Sequence, residues 1–302
     1  MEQMDSSKST IVPTDQLDAI SVNVTSTVTE LDAPPSPSLV SVDVAVDRYD
    51  TSHAKRGIAL ILNQAKFKSM CRRDGSDRDR DSMSAILNSI GFDVRVFDDL
   101  KRKELLATLK SIAAEDHSQN DCLVVVVMTH GKTKNHLYAS DMSYKANKLW
   151  EPFVGSECPS LRGKPKLFFI QACRGEKLDE GVIVRVRRMV GEQRSKPDDS
   201  AVKISYVIPS MADLLVMYST YDGHYSWRNP INGSWFIQSL SYELSANVHR
   251  LELLHILTAV SRRVAYEYQS HVPRNEKLDA KKQMPCIVSM LTKLLYFQPE
   301  KQ

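Results

Sequence analysis

Several features that define other protein classes are missing from this chain of 302 residues. Its five cysteines form no Cys-x-x-Cys pair and no metal-ligand spacing with histidine, which excludes a disulfide framework and a structural zinc site and indicates a reducing compartment. No apolar run reaches the ~20 residues that a membrane-spanning helix requires. No basic stretch followed by an apolar one opens the chain, so we expect no secretory signal and a cytoplasmic location.

The distribution of charged and aromatic residues argues against a nucleic-acid-binding protein. The net charge of +3 combines an acidic first segment, residues 1–50, with a basic remainder. A basic body suits either nucleic acid or an acidic peptide substrate. Aromatic residues make up only 7% of the chain and do not alternate with a basic stripe, so we expect no nucleic-acid partner.

The chain divides into a polar segment and a patterned one. Residues 1–50 are rich in Ser, Thr, Asp and Pro, which predicts a flexible tail. From Gly57 onward, apolar runs alternate with segments of helical periodicity, which predicts an α/β fold with a largely parallel sheet covered on both faces. Residues 176–209 carry charges, glycine and proline and are expected to form an exposed linker. The predicted strands are 58–62, 93–97, 122–128, 166–170, 214–218 and 286–291, and the predicted helices are 76–90, 101–114, 235–244 and 251–268.

A cysteine and a histidine follow two of the apolar runs. Cys173 comes after the run 166–170, and His130, which is 43 positions upstream, comes after the run 123–128. Catalytic groups of open parallel sheets gather beyond the carboxyl ends of the strands, where both residues fall. A thiolate attacks carbonyl carbon well, and an imidazole can take the thiol proton and later protonate the leaving amine. We therefore predict that Cys173 is a nucleophile and His130 its acid and base, without metal or other cofactor.

Gly131 directly follows the histidine. Because glycine has no Cβ, its N–H can approach a ligand closely, and with the N–H of Cys173 it would form an oxyanion hole. The alternative interpretation is a buried structural thiol, a capping histidine and a turn glycine, since free cysteines are often simply buried.

The segments around these residues resemble the caspases, in particular the short-prodomain effector type of insects. The pentapeptide 171–175, Gln-Ala-Cys-Arg-Gly, is a local signature of that family. The resemblance runs from about residue 57 to residue 297. It implies a caspase-like three-layer α/β/α fold with a mostly parallel six-stranded sheet, and a cysteine endopeptidase that cuts after aspartate, is made as a zymogen and acts in apoptosis. The matching segments, in the family's order, are 73–77, 115–117, 129–131, 164–175, 218–220, 225–229, 233–240 and 281–297.

The resemblance also implies the pocket that binds the substrate aspartate. In the family two arginines and a glutamine bind that side chain, and the matching positions are Arg73, Arg228 and Gln171, with Ser226 close by. Two guanidinium groups can bind a carboxylate bidentately, and an amide adds a neutral donor. A pocket built in this way rejects neutral side chains because its own buried charges would then stay unpaired.

Four further residues match outer pockets of the family. Tyr225 and Trp227 would line the pocket for the residue before the aspartate, and Asn229 and Trp235 match outer-pocket residues. A core role for Trp235 is the alternative, because aromatic residues dominate ordinary packing.

The chain departs from the family's pattern in three places. Lys132 and Lys134 stand after the His-Gly pair, where an acidic residue is usual. Pro273 and Arg274 occupy a loop where effector caspases have phenylalanines, so an outer-pocket preference for aspartate does not follow. The stretch 182–188 is basic and β-branched, which leaves a strand-like insert or an altered processing site as alternatives.

Activation requires cleavage sites. Asp199 before Ser200 is the predicted cut between a large subunit, residues 51–199, and a small subunit, residues 200–302. The remaining processing candidates, which would remove the tail, are Asp32, Asp47 and Asp50.

The resemblance implies partners as well. We expect protein substrates with aspartate before the cut, an upstream activating protease, inhibitor-of-apoptosis proteins, and a homodimer formed through the last strand. A catalytically silent caspase-like decoy is the alternative, but such proteins usually lose the thiol, the histidine or a pocket arginine, and this chain has all of them. A protease cutting after Arg or Lys needs an acidic pocket, which the pairing of Arg73 with Arg228 opposes.

Overall fold

The computed structural model of the chain describes residues 47–182, 209–273 and 275–297. The elements in these ranges are, in chain order, β1 (Lys55–Asn63), α1 (Ser76–Ser89), β2 (Asp93–Asp98), α2 (Arg102–Ala113), β3 (Asn120–Met128), β4 (Gly131–Lys132), β5 (His136–Tyr138), β6 (Ser143–Lys145), β7 (Lys166–Gln171), β8 (Leu214–Tyr218), β9 (Arg228–Asn229), β10 (Gly233–Ser234), α3 (Trp235–Asn247), α4 (Leu253–Glu267) and β11 (Cys286–Ser289). Short 3₁₀ helices lie at Ala146–Leu149, Glu151–Phe153 and Pro159–Leu161.

Six strands form the central sheet in the order β11-β8-β7-β3-β1-β2. Neighbouring strands are parallel except β11, which runs antiparallel to β8. All nine residues of β3 are buried, as expected for a parallel strand that is covered on both faces. The predicted mostly parallel six-stranded sheet is confirmed.

Helices cover both faces of this sheet. One face packs against α1, α3 and α4, whose buried residues include Met83, Phe236 and Ile256. The other face packs against α2 and the 3₁₀ helices, through side chains such as Leu109 and Phe153. The three-layer α/β/α architecture expected from the sequence is therefore confirmed. No helix in the ranges that the structure covers is long and apolar enough to cross a membrane.

Helix starts follow capping chemistry more closely than hydrophobic periodicity. The carboxylate of Glu252 accepts hydrogen bonds from the N–H groups of Leu254 and His255, so α4 begins at Leu253 and not at residue 251 as the periodicity predicts. The hydroxyl of Ser234 accepts from the N–H of Ile237 and caps α3 in the same way.

Two small antiparallel pieces were not predicted from the sequence. The strands β4, β5 and β6 form a three-stranded sheet directly after His130, and β9 and β10 pair as a hairpin. Both consist of strands of two or three residues, which are too short to show an alternating hydrophobic pattern. They matter because both border the candidate site.

Candidate active site

The register of two parallel strands brings His130 and Cys173 to the same edge of the sheet. Met128, the last residue of β3, pairs with Gln171, the last residue of β7, and the N–H of Thr129 donates to the carbonyl of Gln171 at 3.0 Å. His130 and Cys173 each lie two residues beyond this pair. The two segments touch, because a Cβ added to Gly131 would lie 2.1 Å from the carbonyl oxygen of Cys173.

The imidazole of His130 is held in one orientation. Its Nε2 lies 2.9 Å from the carbonyl oxygen of Cys71, and its ring packs on Phe67 with centroids 4.7 Å apart. A carbonyl can only accept, so Nε2 carries the proton of the neutral ring and Nδ1 holds the lone pair. Burial lowers the pKa of His130, and the charges of Arg73 and Arg228 add to that effect. The ring is therefore neutral near pH 7 and able to accept a proton.

The thiol of Cys173 points toward the segment that contains Ser226. The N–H of Ser226 donates to Sγ at 3.4 Å. Burial raises the pKa of the thiol, while that N–H and the charges of Arg73 and Arg228 act in the opposite direction. The resting pair is thus a thiol and a neutral imidazole, and the proton must move when the sulfur attacks.

Two arginines lie beside the thiol. Arg73 is 2% exposed, and its Nη1 donates to the carbonyl of Gln64 at 3.1 Å and to the hydroxyl of Ser76 at 2.6 Å. Nε of Arg228 donates to the carbonyl of Asp74 at 2.7 Å. Burial, and after it the charge of Arg228, lowers the pKa of Arg73 to about 9, which leaves both guanidinium groups charged near neutral pH. This part of the site therefore has a positive potential.

Gln171 and Ser226 join the pocket to the nucleophile. The amide nitrogen of Gln171 lies 2.9 Å from the hydroxyl of Ser226, and its buried amide oxygen has no partner among the described residues. The hydroxyl can donate as well as accept, so the amide can also turn and leave its N–H group free. Gln171 can therefore present a neutral donor to a ligand carboxylate.

An aromatic stack borders the other side of the site. Trp227 stacks on Trp235 with ring centroids 5.7 Å apart, and Trp235 stacks on Tyr268 at 5.5 Å. Tyr225, two residues before Trp227, is exposed. The amide oxygen of Asn229 accepts from the N–H groups of Ile231 and Asn232 in the hairpin turn, at 2.9 and 3.0 Å, and its amide nitrogen has no hydrogen-bond partner among the described residues.

Sequence reasoning missed three residues of this region. Tyr268 extends the aromatic stack, Gln283 accepts from the N–H of Trp227 at 2.6 Å and donates to the carbonyl of Ser219 at 2.8 Å, and Asp79 lies behind the arginines. The segment 281–297 resembles the family as a whole, but nothing in its pattern distinguishes Gln283 from its neighbours. Only its contacts do.

The lysines that depart from the family's pattern lie in the small sheet after the histidine. The ammonium group of Lys132 lies 5.5 Å from the centre of the Tyr138 ring. Lys134 and Asn135 both have positive φ, of 59° and 52°, and form the tight turn between β4 and β5. Lys132 therefore has a contact with an aromatic ring, and Lys134 has a position in a tight turn.

The predicted processing sites fall in two groups. Asp32, Asp199 and the greater part of the linker, residues 183–208, lie outside the described residues, as does Arg274. Asp47 and Asp50 flank Tyr49, whose N–H donates to the carbonyl of Leu294 at 2.9 Å. The carboxylate of Asp50 accepts from the N–H and hydroxyl of Ser52, at 2.9 and 2.6 Å. These two candidates thus lie in a segment that is paired with the C-terminal part of the chain.

Comparisons with known proteins agree with this geometry. Residues 56–296 match the family model described as Caspase domain. The chain is 42% identical to Caspase drICE of Drosophila melanogaster over 252 residues, which cover 82% of this chain and 72% of that protein. It is 42% identical to Caspase-1 of Spodoptera frugiperda over 258 residues, covering 85% of this chain and 83% of that one.

A mammalian relative and a solved structure point the same way. Caspase-3 of Bos taurus is 40% identical over 254 residues, which cover 83% of this chain and 88% of that protein. The crystal structure of Caspase-1 from Spodoptera frugiperda superposes with a TM-score of 0.79 at 40% identity, covering 86% of this chain and 99% of that one. The chain therefore belongs to the caspase family and is an aspartate-specific cysteine protease of the insect effector type that acts in apoptosis.

Proposed function

We propose that Cys173 is the nucleophile of this protease and that His130 is its acid and base. The observation that carries the proposal is the placement of a half-buried thiol and an oriented, neutral imidazole beside two arginines that couple electrostatically to that thiol. As Sγ attacks the carbonyl carbon of the scissile peptide bond, Nδ1 of His130 takes the thiol proton. The same nitrogen then gives the proton to the leaving amine, and an acyl-enzyme remains until water hydrolyses it.

The carbonyl oxygen of the substrate becomes negative during this attack. We propose that the N–H groups of Gly131 and Cys173 stabilise it, since fixed backbone donors in a partly desolvated site need no rearrangement as the charge develops. A side chain at position 131 would collide with the backbone of Cys173, which supports the assignment of this close approach to Gly131. The carbonyl of Cys71 serves as the third, orienting group by fixing the tautomer of His130.

We propose that Arg73, Arg228 and Gln171, with Ser226, bind the substrate aspartate. The two guanidinium groups lower each other's stability as cations in the empty pocket, and a carboxylate between them relieves that repulsion. An asparagine in the same position brings no negative charge and leaves the repulsion in place. The preference for aspartate over asparagine and other neutral residues thus follows from charge.

The outer subsites are proposed on the same surface. The exposed Tyr225 and the face of Trp227 would contact the residue before the aspartate, whereas Asn229 and Trp235 would contact residues farther upstream. Trp235 is 7% exposed and stacked on both sides, so it acts mainly as the support on which Trp227 rests.

Activation is proposed to follow the zymogen pattern typical of the family. Cleavage after Asp199, by an upstream protease, would separate the large subunit 51–199 from the small subunit 200–302 within the linker 176–209. Tail removal would occur after Asp32, Asp47 or Asp50. The pairing of residues 47–50 with the C-terminal segment argues against Asp47 and Asp50 as cleavage sites, because proteases cut exposed and unpaired chain most readily.

We further propose a cytoplasmic homodimer that inhibitor-of-apoptosis proteins restrain. The strand β11 is the edge of the central sheet, and the side chain of Val288 on it is 44% exposed. An apolar edge strand offers unpaired backbone groups to a second copy. Sedimentation of the processed protein, with Val288→Lys as the comparison, tests this interface.

Peptide hydrolysis tests the activity and the site together. Purified, processed protein should hydrolyse a tetrapeptide substrate ending in aspartate and leave the matched asparagine peptide essentially uncut. Mass-spectrometric mapping of the termini after activation identifies the processing sites. Failure to cut the aspartate peptide, even after cleavage in the linker, would contradict the proposed roles of Cys173 and His130.

A further inference from the structure

Asp79 is a buried acid that the reaction described above does not use. Its side chain is 1% exposed and lies on α1. Oδ1 accepts from the N–H of Ser234 at 2.8 Å, whereas Oδ2 has no hydrogen-bond partner among the described residues. A buried carboxylate with an unpaired oxygen is unfavourable unless positive charge lies nearby.

The arginine pair supplies that positive charge. Ser76, one turn before Asp79 on the same face of α1, accepts from Nη1 of Arg73. Ser234, which donates to Asp79, is the β-ladder partner of Arg228. Burial raises the pKa of Asp79 to about 6, while the Ser234 bond and the charges of both arginines favour its ionised form. One carboxylate thus lies within electrostatic range of both guanidinium groups, without a direct ion pair to either among the described residues.

The backbone of the β9–β10 hairpin holds this carboxylate in place. A Cβ added to Gly233 would lie 2.3 Å from Oδ1 of Asp79, and Gly233 has a φ of +94°. Only glycine suits this position, both because of its conformation and because of the space available. Asp79 therefore has a fixed location behind the pocket, out of reach of bulk water.

We propose that Asp79 is the fixed counter-ion of the Arg73–Arg228 pair and thereby a positioning and specificity-determining residue for the substrate aspartate. The inference rests on the proposed role of the two arginines. With Asp79 ionised, this group of charges has a net charge of +1 when the pocket is empty and of zero when a substrate carboxylate is bound.

Two consequences follow from a shared pair of cations. In the empty enzyme Asp79 offsets the repulsion between the guanidinium groups and keeps them converged. In the occupied enzyme Asp79 and the ligand carboxylate compete for the same cations, so each weakens the binding of the other. The counter-ion therefore limits how tightly the aspartate of the product is retained.

The test compares Asp79→Asn with Asp77→Asn. The first substitution removes the buried charge and keeps an oxygen for the Ser234 N–H group. The second removes an equal charge from the same helix, at an exposed carboxylate that pairs with Arg72 and Arg80 on the surface. Inhibition constants are measured for two reversible peptide aldehydes that differ only in a terminal aspartate or asparagine residue, together with the thermal midpoint of the ligand-free enzyme.

Opposite changes in affinity and stability are expected for Asp79→Asn. It should bind the aspartate aldehyde roughly three- to tenfold more tightly, because a like charge has been removed, and should not gain affinity for the asparagine aldehyde. Its ligand-free thermal midpoint should fall, since the arginines lose their counter-ion. Asp77→Asn should change neither the ratio of the two inhibition constants nor, appreciably, the thermal midpoint.

The outcomes distinguish a failure of the counter-ion role from a failure of the proposed arginine pocket on which it rests. Asp79→Asn binding both aldehydes as wild type does, or more weakly by equal factors, would overturn the counter-ion role and leave a structural one. A wild-type enzyme that does not prefer the aspartate aldehyde would instead overturn the assignment of the arginine pocket. A variant that fails to fold is refolded with each aldehyde. Recovery with the aspartate aldehyde alone supports the counter-ion role, and recovery with neither overturns it.

Discussion

The amino-terminal and carboxyl-terminal ends of the strands form two edges of the central sheet, and these two edges differ in how their buried polar groups are paired. At the amino-terminal edge lies a cavity of about 1080 Å³ lined by charged residues. The buried carboxylate of Asp121 there accepts from Nη1 of Arg56 at 2.8 Å and from the backbone and ring of His53 at 3.0 and 3.1 Å. At the carboxyl-terminal edge, Oδ2 of Asp79 and the amide oxygen of Gln171 have no partner among the described residues.

The difference shows that unbalanced charge, rather than the volume of a cavity, distinguishes the candidate active site. A large cavity whose buried charges already have partners gains little from a ligand, because a ligand must first displace those partners. The carboxyl-terminal edge instead has an excess of positive charge beside a thiol, and those cations gain a partner when an acidic ligand binds. The following predictions set the two edges against each other.

Removing the thiol should have the largest effect. Cys173→Ala should lower kcat/KM for the aspartate peptide by roughly 10⁴-fold or more, because no other group can form the acyl-enzyme. Cys122→Ala removes a buried thiol near the amino-terminal edge, where Sγ lies 3.7 Å from the carbonyl of Arg56, and should leave kcat unchanged. Steady-state hydrolysis checks both, and more than about 1% residual activity in Cys173→Ala would contradict the assignment.

An arginine should matter to activity at one edge and to stability at the other. Arg228→Gln should lower kcat/KM by roughly 10²- to 10³-fold, since the substrate carboxylate loses a charged donor. Arg56→Gln weakens the group around Asp121 and should lower the free energy of unfolding without changing kcat/KM. Kinetics and urea unfolding of both variants measure this contrast. Equal losses of activity in the two variants would remove the distinction between the edges.

A single methyl group at Gly131 should displace the nucleophile. Gly131→Ala puts a Cβ 2.1 Å from the carbonyl oxygen of Cys173, so the backbone must move and kcat should fall roughly 10²-fold. Gly155→Ala is the control, because its nearest neighbours are at 3.6 and 3.7 Å and nothing has to move. Kinetics, with circular dichroism to verify folding, checks the pair. Unchanged kcat in Gly131→Ala would argue against the close approach.

Lys166, a buried residue at the amino-terminal edge, should make the stability of the protein depend on pH. Lys166, the first residue of β7, is 2% exposed, and burial lowers its pKa to about 8. The unfolded chain binds more protons than the folded one between that value and the usual 10.5. Stability should therefore rise with pH in this window, by about 1–3 kcal/mol relative to Lys166→Met. Urea unfolding at pH 7.5 and pH 9.5 measures the difference, and parallel pH profiles of the two proteins would refute it.

The smallest effect is expected where the two ends of the described chain meet. The hydroxyl of Tyr49 donates to Asp213 at 2.7 Å and accepts from the N–H of Thr292 at 2.9 Å. Tyr49→Phe should lower the free energy of unfolding by about 1–2 kcal/mol and leave kcat unchanged. Tyr242→Phe, on an exposed side chain, should lower it by less than about 0.5 kcal/mol. Chemical denaturation measures the free energy of unfolding of both variants. Equal losses would contradict a stabilising role for the hydrogen bonds of Tyr49.

Prediction from the sequence succeeded where one local pattern sufficed. The strand before Cys173 and the strand before His130 are continuous apolar runs, so their ends, and the residues that follow, were correctly placed at one edge of the sheet. Prediction failed for β4 and β9, which have two residues each, and for the start of α4, which the carboxylate of Glu252 decides.

The contacts that complete the site join distant parts of the chain. The N–H of Ser226 reaches Sγ of Cys173 across 53 positions, and that of Ser234 reaches Asp79 across 155. No periodicity can predict such contacts, because they depend on how the layers pack. The resemblance named Arg73 and Arg228, but the buried acid behind them had no such signal.

By itself, the order of residues determined the α/β layering and the family, because apolar periodicity and short motifs are properties of neighbours along the chain. Only the tertiary structure decided how charge is balanced around the site. Burial fixes the direction in which the pKa of Cys173, His130 and Asp79 moves, and burial is set by elements that are far apart in sequence. The electrostatics of the pocket is therefore a property of the packed layers and not of any one segment.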